Sequence, residues 1–163
     1  MSYINDLRKY VGHNPILTAG VGLLVFNSED KILMQLRTDY NLWGFPGGSM
    51  ELGESFEDVA IRELKEELNL NLDHIQYEMK YLECPTEKRS VYGFIATGKL
   101  DMSKEELNIY FENYKKYLKV NDLELEFSRL IFLNKSKAIQ ELDKLDNPKR
   151  EYLRDLIEIS MQK

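Results

Sequence analysis

From Thr18 to Phe26 the chain reads TAGVGLLVF, largely apolar and interrupted only by small residues, and after the polar turn Asn27 to Asp30 a second mixed run follows from Lys31 to Arg37. Two such runs around a polar turn predict a β-hairpin. His74 to Glu83, Arg89 to Leu100 and Leu123 to Leu133 have the alternating or mixed character of further strands. Helical spacing recurs elsewhere. Residues 2–10 predict a short helix, and Phe56, Ala60, Leu64 and Leu68 lie at steps of four. Leu107, Tyr110, Phe111, Tyr114, Tyr117 and Leu118 mark one face of a helix from Ser103 to about Leu118. The chain end reads helical on both sides of Asn147-Pro148, while Thr38 to Leu42 reads as a loop leading into the turn WGFPGG, Trp43 to Gly48. Interleaved helices and strands predict an α/β fold in which a mixed sheet carries helices on both faces.

The boundaries of the helix behind the glycine turn are written locally. Ser55 has the chemistry of an N-cap and Asp58 stands three residues on, the spacing of a capping box. Asn69 follows the last apolar position, and Asn tolerates the left-handed conformation that ends helices. On this helix Glu63, Glu66 and Glu67 are separated by three and four residues, so they share an arc roughly 100° wide. Like charges at those spacings cost about 0.2–0.5 kcal/mol per pair, and a hard cation would relieve them. The plain alternative is a solvated acidic face of a surface helix.

The wider context separates these readings. Gly48, Glu54, Arg62, Glu63, Leu64, Glu66, Glu67 and Leu70 fit the pattern G-x5-E-x7-R-E-U-x-E-E-x-G-U, with U aliphatic, and depart from it only at Asn69, where glycine is usual. This segment resembles the Nudix box, in the manner of MutT-like bacterial members, and WGFPGG resembles the usual entry to it. The resemblance implies a Nudix α/β/α sandwich with a mixed β-sheet between helices. It implies hydrolysis of a phosphoanhydride bond in a nucleoside diphosphate linked to another moiety, such as a (deoxy)nucleoside triphosphate or ADP-ribose, with Mg²⁺ or Mn²⁺ as cofactor. Carried over by position, Glu63, Glu66, Glu67 and the Gly47 carbonyl are the implied metal ligands, supported by Glu54 and Arg62. The general base falls to Glu67 or Glu63, in competition with Glu87, Glu105, Glu106, Glu112 and Asp122. A non-catalytic nucleotide sensor is the alternative of a different class, set against the retention of every box glutamate.

Substrate selection lies outside the box. Trp43, Phe45, Tyr92 and the segment Tyr110 to Tyr117 could stack on a base or simply pack, and Arg37 and the pair Lys88 and Arg89 could meet phosphates or a base edge. Pro85, fifteen residues after Leu70, matches a mark of ADP-ribose hydrolysis in the family. The amphipathic segment 103–119 has the look of a lid or a homodimer contact.

Composition bounds the rest. At 163 residues, 43% hydrophobic and 31% charged, the chain suits a single domain with a core over about 16–160. A formal charge of −6 argues against binding duplex nucleic acid, which relies on clustered Lys and Arg. The first residues lack the apolar core of a signal peptide and no run approaches a membrane span, so a cytoplasmic protein is expected. The single cysteine, Cys84, cannot form an internal disulfide, and His13 and His74 lack the spacing of a zinc site.

Overall fold

The computed structural model describes residues 2–39, 41–81, 91–124, 126–144, 154, 157 and 158. Arg89, Lys88, Cys84, Pro85, Glu87 and the Asn147-Pro148 region therefore lie outside the described residues, as does the side chain of Tyr92. Strand β1 (Thr18–Phe26) organises the sheet, running parallel to β6 (Val91–Leu100) along its whole length. It pairs antiparallel with β2 (Ile32–Arg37) only at Phe26 and Ile32, and with β4 (Gly47–Ser49) over Gly20 to Gly22. β2 pairs with β3 (Leu42–Gly44) and β7 (Phe127–Leu133), and β5 (Ile75–Tyr81) pairs with β6, all antiparallel. The result is a mixed sheet.

Alternation along the strands sorts the apolar side chains into two layers. Val21, Leu23, Val25 and Leu33 meet Val59, Ala60, Leu64 and Leu68 of helix α2 (Phe56–Leu68), with Leu107, Tyr110 and Phe111 of α3 (Lys104–Val120) at the margin. Leu24, Ile32 and Met34 point the other way, toward Ala138 and Leu142 of α4 (Lys135–Leu142) and toward Ile157. Helices thus cover both faces, as expected for the α/β/α sandwich. Burying Val59, Leu64 and Leu68 is worth roughly 1.5–3 kcal/mol each. That outweighs the few tenths per pair that the glutamate cluster costs α2.

The expected short N-terminal helix is α1 (Tyr3–Val11), and the capping box of α2 is formed as read from the sequence, with Asp58 N donating to Ser55 Oγ at 3.1 Å and Ser55 N to Asp58 Oδ2 at 2.8 Å. Asn69 ends the helix at φ 53° and ψ 37°, the left-handed conformation. Several boundaries differ. The glycine turn and the loop before it contain strands β3 and β4, three residues each, which are too short to show a strand pattern and are held by pairing with β2 and β1. Close approach makes the second pairing possible, because a Cβ at Gly20 would lie 2.7 Å from the Gly48 carbonyl oxygen and one at Gly47 would collide with the Val21 carbonyl. His74 closes a 3₁₀ turn (Leu72–His74), so β5 begins one residue later than expected. Leu123 belongs to a turn closed by the Glu126 and Phe127 amides, so β7 begins only at Phe127. α3 runs on to Val120. No helix among the described residues is long and apolar enough to cross a membrane.

Candidate functional site

Two glutamates of α2 are seated on the glycine turn. Pro46 fixes the entry by accepting a hydrogen bond from Leu23 N at 2.8 Å, and Gly47 then adopts φ 145°, which a side chain would not tolerate. In that conformation Gly47 N donates to Glu67 Oε2 at 2.9 Å. Glu63 lies against Gly48 so closely that a methyl group there would overlap its Oε1. Its residue exposure is 7%, whereas the Glu66 side chain is 59% exposed. The shared arc is therefore graded in burial, because Glu63 and Glu67 face the turn and Glu66 faces solvent.

Arg62 ties this cluster together. Its Nε donates to Glu54 Oε1 at 2.6 Å and its Nη2 to Glu54 Oε2 at 3.0 Å, a bidentate pair, while Nη2 also reaches the Ser49 carbonyl at 3.0 Å. Nη1 donates to Glu63 Oε1 at 2.6 Å and, at 3.3 Å, to Glu66 Oε2. Arg62 thus pairs closely with Glu54 and Glu63 and at longer range with Glu66. Asp58 instead serves the helix cap. The hydrogen bond from Arg62 holds the Glu54 carboxyl below its usual range, and the same contact is the largest cause raising Arg62.

The remaining charges are unbalanced. Desolvation is the largest cause raising Glu63, offset in part by Arg62, and it pushes Glu67 up to about 8, helped by the charge on Glu63. The amide of Gly47 and the more distant Arg37 only partly oppose this. Among the described residues no three His, Cys, Asp or Glu side chains already converge as a closed cage. Two carboxylates at a glycine turn nevertheless suit a hard divalent cation, which commonly takes one or two protein carboxylates and leaves other positions to water and substrate phosphates. The specific observation in favour of that fit is the placement of the Glu67 carboxylate on the Gly47 amide, with no cation bonded to it among the described residues.

Arg37 extends from β2 toward the same region. Its guanidinium donates to both carboxylate oxygens of Asp39, at 3.0 and 2.7 Å, and lies 5.4 Å from the centre of the Phe127 ring. The Asp39 hydrogen bond is the largest cause raising it, with smaller contributions from the charges on Glu67 and Glu126. Trp43 and Phe45, by contrast, are partly buried against the α4 layer, where the Arg129 guanidinium sits 5.4 Å from the centre of the Trp43 ring. Of the carboxylates considered as general base, Glu106 caps α3 through Ser103, and Glu105, Glu112 and Asp122 are exposed. Segment 103–119 packs onto the α2 layer through Leu107, Tyr110 and Phe111.

Two neighbours were not singled out by the sequence reading. Glu126 is close enough to bias both Glu67 and Arg37, but it precedes β7 in a stretch whose pairing cannot be read locally. Gln35 is buried at 2% exposure and donates to the Tyr114 hydroxyl at 3.2 Å. A lone amide in the apolar run ILMQL was the available signal for it.

Residues 16–156 match the family model of the NUDIX domain. Over 54 residues the chain is 43% identical to a Bacillus subtilis (strain 168) protein provisionally named 8-oxo-dGTP diphosphatase, a match covering 33% of this chain and 36% of that protein. It is 37% identical over 57 residues to the RNA pyrophosphohydrolase of Ruthia magnifica subsp. Calyptogena magnifica, covering 35% and 32%. The chain thus spans about a third of the length of these curated relatives. The fold is shared with DR0079 of Deinococcus radiodurans, at a TM-score of 0.65 and 16% identity over 88% of this chain and 86% of that one. It is also shared with the E. coli dihydroneopterin triphosphate pyrophosphohydrolase, at a TM-score of 0.55 and 15% identity over 88% and 95%. With the family match running from just before β1 to beyond α4, and with Glu63 and Glu67 seated on its glycine turn, the chain belongs to the Nudix family.

Proposed function

We propose that this protein is a hydrolase that cleaves a phosphoanhydride bond in a nucleoside diphosphate linked to another group, using a divalent cation, Mg²⁺ or Mn²⁺, held at the box. The observation that carries this reading is the seating of Glu63 and Glu67 on the Gly47-Gly48 turn, where, among the described residues, Glu63 but not Glu67 is directly paired to a protein cation. Glu63, Glu67 and the Gly47 carbonyl would hold the ion, and Glu66 would join from the solvent side. Bound there, the cation would neutralise bridging phosphates and lower the pKa of a water.

The chain's own groups supply the rest. Arg62 locks Glu54, Glu63 and the Ser49 carbonyl into one frame, so the carboxylates meet an incoming anion already oriented. A box glutamate, Glu67 or Glu63, accepts the proton of the attacking water. Arg37, parked between Asp39 and Phe127, offers a guanidinium to the phosphates or the base edge of the substrate. Arg89 stays in the substrate-binding set as read from the sequence, whereas Trp43 and Phe45, packed against the α4 layer, are assigned to the core. The named relatives, with 8-oxo-dGTP and RNA in their names, support a nucleotide bearing a pyrophosphate linkage.

Retention of all three box glutamates favours hydrolysis over a silent nucleotide sensor. Glu66→Gln and Glu67→Gln are each expected to lower kcat by about a hundredfold or more, the scale of losing base or metal chemistry. Near-normal turnover in both variants would remove the metal-site reading.

A further inference from the structure

The last four carbonyls of any α-helix have no partner within it, and in α2 these belong to Lys65, Glu66, Glu67 and Leu68, the turn that carries two of the three box glutamates. All four accept from tyrosine hydroxyls of α3, the Lys65 carbonyl in addition to the Asn69 amide at 3.1 Å. Tyr110 donates to the Leu68 carbonyl at 2.5 Å, Tyr114 to that of Glu67 at 2.8 Å, and Tyr117 is shared between Glu66 at 2.6 Å and Lys65 at 2.9 Å. The donors stand at positions 110, 114 and 117, steps of four and three that place them on one face of α3. Their rings brace one another, with centroids 6.2 Å apart for Tyr110 and Tyr114 and 6.3 Å for Tyr114 and Tyr117. The central hydroxyl also accepts from buried Gln35 of β2 at 3.2 Å.

We infer that Tyr110, Tyr114 and Tyr117 form a hydroxyl clamp that sets the position of the last turn of α2, so that they are positioning residues for Glu66 and Glu67. Packing alone would bury three aromatic rings without aiming each oxygen at a different terminal carbonyl. Glu67 is held at both ends, its carbonyl by Tyr114 and its carboxylate by Gly47 N. Terminal helical turns fray. Loosening this one would move Glu66 and Glu67, while Glu63, one turn earlier and tied to Arg62, would stay. Segment 103–119 is on this account a fixed brace, in place of the lid or dimer contact that its amphipathic pattern suggested.

The inference rests on the proposed metal-dependent hydrolysis, and its test reads the clamp separately. In the full chain, Mn²⁺ affinity is measured without substrate by electron paramagnetic resonance, beside kcat, KM and the thermal midpoint, for wild type, Tyr114→Phe, Tyr117→Phe and a control, Tyr10→Phe. Tyr10 is 89% exposed, so its variant should match wild type. Tyr114→Phe is expected to weaken Mn²⁺ binding about tenfold and to lower kcat with little change in KM, as when a group that orients a metal ligand is lost. Tyr117→Phe should shift the same quantities by a smaller factor, and it carries the test if Tyr114→Phe does not fold. Wild-type Mn²⁺ affinity and kcat in the folded tyrosine variants would overturn the clamp and leave the proposed function standing. A wild-type protein that neither binds Mn²⁺ nor cleaves any nucleotide would overturn the proposed function itself, and the clamp with it.

Discussion

At the scale of single residues, Gly48 and Glu67 show how little slack the candidate site has. A methyl at position 48 would occupy the space of Glu63 Oε1, so Gly48→Ala must displace either the buried carboxylate or the turn. We expect it to weaken divalent-ion binding and lower kcat about tenfold or more, measured by calorimetry and steady-state kinetics, because misplacing a metal ligand has costs on that scale. Glu67 makes a pH prediction for metal-free protein. Its carboxyl titrates near pH 4.3 in an unfolded chain but is pushed up to about 8 in the folded one, so the native state holds its proton more tightly. Its contribution to stability is therefore complete below about pH 4 and is lost as pH rises toward 8. Chemical denaturation in chelator at pH 5 and pH 8 should show that loss in wild type and a flatter profile in Glu67→Gln. An equal pH dependence in the two proteins would contradict the assignment.

At the scale of elements, α2 is the part of the molecule whose sequence is most self-explanatory. Ser55, Asp58 and Asn69 mark its ends by local hydrogen bonding and backbone conformation, which need no knowledge of the fold, and both ends form as those residues imply. Ser55→Ala should cost about 1 kcal/mol through loss of the cap. Asn69→Gly should leave stability within about 1 kcal/mol of wild type and activity unchanged, since glycine enters the left-handed region without strain. Thermal melts of the two variants would check both. β3 and β4 were illegible for the opposite reason. LWG and GGS become strands only because β2 and β1 offer free edges, a tertiary fact absent from the residues themselves. The tyrosines of α3 were visible as a stripe, yet that their hydroxyls end on α2 carbonyls required the packing of two helices some forty residues apart.

At the scale of the whole molecule, the sheet separates anchoring from chemistry. One face buries the apolar stripe of α2 and leaves Glu63, Glu67 and Arg37 near the glycine turn, while the other carries Trp43, Phe45 and α4. The acidic arc, its supporting arginine and the sandwich were all legible from residues 48–70 and the order of elements. The division of labour among the three glutamates was not, because equal spacing on a helix says nothing about how deeply each side chain is buried. If the site binds a divalent ion in the folded state only, saturation at a hundred times Kd should stabilise the protein by about 2.7 kcal/mol, seen as a rise in thermal midpoint that chelator reverses. The central claim is tested most directly by incubating the protein with a panel of nucleotides in Mg²⁺, in Mn²⁺ and in chelator, and identifying the products. The account predicts metal-dependent release of phosphate, pyrophosphate or a nucleoside monophosphate from at least one of them, reduced about a hundredfold or more in Glu67→Gln. Cleavage that persists undiminished in chelator, or none from any nucleotide with either metal, would contradict it.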